Sequence, residues 1–185
     1  MEDYAALILG LLDLYQTDSS TAWYAAARDL TVELIRHYAD AQGGFFDTCQ
    51  DHEPLLFRPK DVQDNATPSG NALAACALLQ VAAYDGNSEW RSMPEAMLDQ
   101  QAELMASHPT AFAQWLQAGD FAFGPVSEVA LLGYAKAPSL GILRAELWKT
   151  YRPRQISATS TYPPEPGSPR LLEQRRLVDD QPTAY

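Results

Sequence analysis

The sequence predicts a mainly α chain of alternating buried and half-solvated helices, followed by a small α/β region. Three observations carry this reading. Apolar stretches recur with helical periodicity through the first 124 residues. Some are apolar on every face and others on one side only. After Gly124 the texture changes to strand-like runs and a segment rich in Pro and Gly.

Residues 3–15 (DYAALILGLLDLY) are apolar on nearly every face, the mark of a buried helix. Residues 21–40 are amphipathic. Trp23, Ala26, Ala27, Leu30, Leu34 and Tyr38 share one side, and Arg28, Asp29, Glu33 and Arg36 the other. Residues 69–84 are again apolar all round. Residues 89–107 set Met93, Met97 and Leu104 against Glu95, Asp99 and Glu103. Residues 110–123 begin a third buried helix. Tight turns at 17–20 and 85–88 make two αα-hairpins of inner and outer helices, as found in solenoids and closed toroids. The alternation puts the long connection 41–68 on the same face as Asp3, Tyr4 and the helix start at Ser69. Beyond it, residues 128–133 (EVALLG) and 155–161 (QISATST) read as strands around a helix at 139–151, a parallel βαβ unit. Two strands alone make a poor sheet, so this end reads as incomplete. The division is 1–124 and 125–185.

The 185 residues are 46% apolar, enough for a core, and the net charge of −11 argues against non-specific nucleic-acid binding. No apolar run reaches the roughly 18 residues of a membrane span, and no leader-like segment is evident. Cys49 and Cys76 form neither a disulfide framework nor a zinc motif, so a reducing cytoplasm is the expected compartment.

The stretch 43–71 is the strongest candidate for a site. Helical domains join helices through roughly two to eight residues, and much longer connections are usually functional. Within it, either Thr67, with Pro68 in the first helical position, or Ser69 caps the next helix. Its free amides, with the Ser69 and Asn71 side chains, could meet a polar ligand. Arg58 and Lys60 either solvate the surface, pair with Asp61 or Asp64, or meet a sugar hydroxyl or a phosphate. Asp47, Asp51, His52 and Glu53 are acid/base types. Cys49-Gln50-Asp51-His52 lacks the further Cys or His cluster of a zinc site, so no metal is assigned. His37 and His108 have no identifiable companion. Residues 43–47 (GGFFD) are expected to pair with 55–57 (LLF) in a β-hairpin, with Phe45 and Phe46 half core and half pocket wall.

Several of these segments together resemble one family. They are EDYA at 2–5, GLLDLY at 10–15, GGFFDT at 43–48, RPK at 58–60, ATPSGN at 66–71, Pro125 with Glu128-Val129, and QPTAY at 181–185. The family is the thioredoxin-domain-containing, spermatogenesis-associated protein 20-like family. The resemblance implies a partial (α/α)6 toroid, similar to sugar 2-epimerases and six-hairpin glycosidases, in the C-terminal portion of a longer protein. It also implies an N-terminal thioredoxin-like domain as a partner elsewhere in that protein. The redox role of that domain does not carry over, and no residue here matches the epimerase histidines. No cofactor is implied.

Two functions follow as expectations. In the first, the toroid pocket binds or converts a small carbohydrate. Asp3 or Asp64 is the acid/base, Arg58 and Lys60 orient hydroxyls, Tyr4, Phe45 and Phe46 stack on the ring, and Ser69 and Asn71 complete the pocket. In the second, the chain is a non-catalytic scaffold that docks the thioredoxin-like domain or a partner protein. Either way, inner-helix flanks left open favour self-association of the isolated chain.

Overall fold

A computed structural model describes residues 1–51, 56–135 and 137–185. Helix α1 (Glu2–Asp18) turns back into α2 (Thr21–Tyr38) through Ser19, which adopts the left-handed conformation, while the Asp18 carboxylate accepts from Ser20 N at 2.8 Å. The second hairpin joins α3 (Gly70–Asp85) to α4 (Ser88–Ser107). Gly86 takes the left-handed position without a Cβ penalty, and the Asn87 side chain caps α4 by accepting from Glu89 N and Trp90 N. A single 3-10 turn (Pro109–Ala111) leads into α5 (Ala113–Phe123). Both hairpin turns fall where the sequence placed them.

Helix α3 lies at the centre. Apart from Leu73, Gln80 and Ala83 every residue in it is buried, and its run of alanines lets α1, α4 and α5 pack close to its backbone. Helix α1 buries Ala5, Ile8, Leu11, Leu12 and Tyr15 against α2 and α3, yet Leu7 is 53% and Leu14 45% exposed. Its all-round apolar sequence therefore overstates its burial, because among the described residues no element covers the flank of Leu7 and Leu14.

The strands are β1 (Ser127–Gly133), β2 (Gln155–Thr161) and β3 (Thr183–Ala184), with α6 (Pro138–Leu147) crossing between the first two. β1 and β2 pair in parallel from Ser127↔Gln155 to Gly133↔Thr161, as the βαβ reading requires. The expectation of a two-stranded, incomplete sheet is corrected. β3 adds antiparallel to the other edge of β1, through Leu131↔Ala184 and Leu132↔Thr183. That makes β1 the central strand, which is why Ala130, Leu131 and Leu132 are buried. Helix α6 stops at Leu147 rather than 151 and has no buried residue. The sheet shares the helical core through Ile156 and Ala158, and Tyr84 Oη donates to Ser157 O at 3.1 Å.

The expected hairpin between 43–47 and 55–57 is also corrected. Phe45 makes an isolated antiparallel bridge to Ala39, at the end of α2. Gly43 and Gly44, both at positive φ, fold the chain back so that Asp40 N donates to Gly44 O and Phe46 N to Tyr38 O. Leu56 and Phe57 lie exposed, and Leu55 is outside the described residues. The fold is mainly α with a small three-stranded mixed sheet.

Candidate functional site

The start of α3 is built as a joint. Ser69, not Thr67, is the cap: its Oγ accepts from Ala72 N at 3.2 Å, and Thr67 is exposed. Asp64 is buried beside it. One carboxylate oxygen accepts from Ser69 N and the other from Gln114 N, each at 2.8 Å. One side chain thus ties the long connection to the starts of α3 and α5. Asn71 does the same in another direction. Its Oδ1 accepts from Phe45 N at 2.8 Å, and its Nδ2 donates to the carbonyls of Phe45 and Asp61 at 2.9 Å. Trp115 Nε1 donates to Val62 O at 2.7 Å. Each bond satisfies a buried backbone group that would otherwise cost about 1–3 kcal/mol.

The other predicted residues surround this joint. Phe45 is fully buried under Asn71. Phe46 lies beneath the Arg58 guanidinium, 4.0 Å from the ring centroid, with the Lys60 ammonium at 5.3 Å. Arg58 donates to the carbonyls of Thr48 and His37. Lys60 pairs with Asp40 and donates to Gly43 O, and that pairing holds the Asp40 carboxyl below its usual range. Tyr4 packs on Tyr38 with ring centroids 5.5 Å apart. Asp3 is exposed and lines a groove of about 420 Å³ with Asp47, Asp61, Gln63, Thr67 and Ser69. Partial burial pushes the Asp47 carboxyl up. So Asp3 and Ser69 share a groove, whereas the Asp64 and Asn71 side chains are fully engaged within the fold.

A second groove, of about 720 Å³, runs between α1, α3 and α5 and was not anticipated. Asp13, Cys76, Gln80, Gln114, Gln117 and Tyr151 line it. Burial raises the Asp13 carboxyl, and it pushes the Cys76 thiol up to about 11, which keeps that sulfur protonated at neutral pH. Gln114 Nε2 donates to Cys76 Sγ at 3.1 Å. Gln80 was a legible signal, being a lone polar residue well inside an all-apolar helix. A third locus, at the end of α2, groups His37, Cys49 and Asp51. His108 is exposed at the end of α4, and the acid/base candidates His52 and Glu53 lie outside the described residues.

These elements define a protein of paired helices with a small mixed sheet packed on the same core. No family model matches the chain. Along its whole length it is similar to spermatogenesis-associated protein 20, with 29% identity to the human protein and 27% to those of mouse and rat over 191 aligned residues. The family read from its short motifs is thus matched by relatives across the entire chain. The chain spans about a quarter of the length of these relatives (24%). Among the described residues no helix is long and apolar enough to cross a membrane.

Proposed function

We propose that this chain is the C-terminal portion of a longer protein, completes an α/α toroid there, and acts as a non-catalytic scaffold. In this reading residues 1–124 are the toroid segment and 125–185 an appended α/β layer. The open flank of α1 receives the preceding helices, and the assembled surface docks a thioredoxin-like domain or a partner protein. One observation carries the reading: Asp64 and Asn71, the best-placed polar residues of the long connection, are engaged with backbone groups, while Leu7 and Leu14 of an inner helix face solvent. Such a flank costs solvation unless covered. The test is co-expression of this chain with the remainder of the longer protein. A stoichiometric complex is expected, and replacing Leu7 and Leu14 by Gln should dissolve it. Complex formation unaffected by both replacements would overturn the reading.

The two grooves favour a second reading, a pocket that binds or converts a small carbohydrate. Amide and carboxylate groups with an aromatic ring suit hydroxyl recognition. In this reading Asp3 is the acid/base, since it reaches the open groove, and Asp64 positions Ser69. Arg58, Lys60, Tyr4, Phe45, Phe46 and Asn71 shape the wall behind them. Calorimetric titration with a panel of mono- and disaccharides is expected to give a binder whose affinity falls in Asp3→Asn. Silence across the panel with the longer protein would remove this reading and leave the scaffold.

A further inference from the structure

The fold brings together three side chains that the sequence keeps apart. His37 sits in the last turn of α2, while Cys49 and Asp51 lie beyond the glycine turn. One nitrogen, one sulfur and one carboxylate oxygen from them lie within 4.8 Å of one another. The return of the chain at Gly43-Gly44 closes this approach. Gln50 N donates to His37 O at 3.1 Å, and Arg58 clamps the carbonyls of both His37 and Thr48.

The histidine is oriented for ligation. Its Nε2 is 3.0 Å from the Glu33 carboxylate one turn back on α2. A carboxylate accepts only, so Nε2 carries the proton and donates it there. The lone pair of the neutral ring is then on Nδ1, which faces the Asp51 carboxylate at 3.7 Å. A positive charge placed between these two atoms, a ring proton or a bound metal ion, would satisfy both. Among the described residues the Gln50 amide, at 3.4 Å, is a weak neutral donor to Nδ1. Histidine ligands in metal proteins characteristically give their second nitrogen to a carboxylate, which fixes the tautomer and strengthens the ligand.

We propose that His37 Nδ1, Cys49 Sγ and the Asp51 carboxylate form a three-ligand site for a zinc-type divalent cation, with Glu33 as the positioning residue. Mixed nitrogen, sulfur and oxygen donors suit zinc and disfavour calcium and magnesium, which take oxygen. Zinc bond lengths put neighbouring ligand atoms about 3.5 Å apart, a spacing the Nδ1–Asp51 pair at 3.7 Å already approaches. Asp51 is 75% exposed, which leaves the fourth position open to water.

The probes are Zn²⁺ and, for its spectrum, Co²⁺. One Co²⁺ per chain is expected, with thiolate-to-metal charge-transfer absorption that is lost in Cys49→Ser and kept in Cys76→Ala. Competition against a chromophoric chelator should show Zn²⁺ affinity about tenfold weaker in Glu33→Gln. Asp51→Asn and His37→Gln should weaken it further. Circular dichroism checks that each metal-free variant is folded, and the exposed Asp51 site supplies the decisive variant if His37→Gln is not. Absence of binding at micromolar metal, cobalt bound without the sulfur band, or a band that survives Cys49→Ser would each overturn the site.

Discussion

Helices α1 and α3 are both apolar on nearly every face, yet they meet different fates. Helix α3 has α1, α4 and α5 around it and is buried along its length, down to the Asn71 amide at its start. Helix α1 packs on α2, α3 and, at its end, β2, and leaves Leu7 and Leu14 in solvent. The composition of a helix therefore records the surroundings it is built for, and the difference between the two locates an uncovered surface.

The largest effect expected from that contrast lies in α3. Leu78→Ala removes a fully buried side chain and should cost about 3 kcal/mol in a urea melt; a loss below 1 kcal/mol would mean that α3 is not the centre of the core. Next is Asn71→Ala, which leaves an amide and two carbonyls without their partner and should cost about 2 kcal/mol. A purely ligand-binding Asn71 would leave the melt unchanged. On α1, the pair Leu7→Gln and Leu14→Gln should shift stability by less than about 0.5 kcal/mol. In the same pair, self-association of the isolated chain, followed by sedimentation, should fall; an unaltered sedimentation profile would place the sticky surface elsewhere.

The smallest effect concerns Asp13, on the α1 side of the second groove. Burial raises its folded pKa above 3.8. Its protonated form is thus favoured in the folded state, so the associated stability is present below that value and is lost as pH rises through the folded pKa. Asp13→Asn should therefore raise the urea midpoint at pH 7 more than at pH 4. Equal shifts at both pH values would show that Asp13 is effectively in water.

Periodicity made the five long helices and both hairpin turns legible, because apolar spacing and cap residues such as Ser69 and Asn87 act locally. Strand β3 was not legible, since two residues at a sheet edge carry no pattern. The half-exposure of α1 was equally hidden, for it depends on which neighbours are present. At the site, the sequence singled out Asp64, Asn71, Arg58 and Lys60 as polar residues of the long connection but not their partners: Lys60 pairs with Asp40 rather than Asp61 or Asp64, and Arg58 donates to the carbonyls of His37 and Thr48. The pairing of His37 with Cys49 was invisible, because only the turn at Gly43-Gly44 closes the gap between them.

One hydrogen bond also imposes an order of assembly. The Gln16 side-chain carbonyl accepts from Ser157 N at 3.1 Å, joining α1 to β2. The two residues are 141 positions apart. During synthesis, at about 5–20 residues per second, α1 emerges many seconds before its partner strand. The hairpins can form as they leave the ribosome, but this end of α1 stays unfastened until the last quarter of the chain arrives. The closing strand thus acts as a late latch on a helix made long before it.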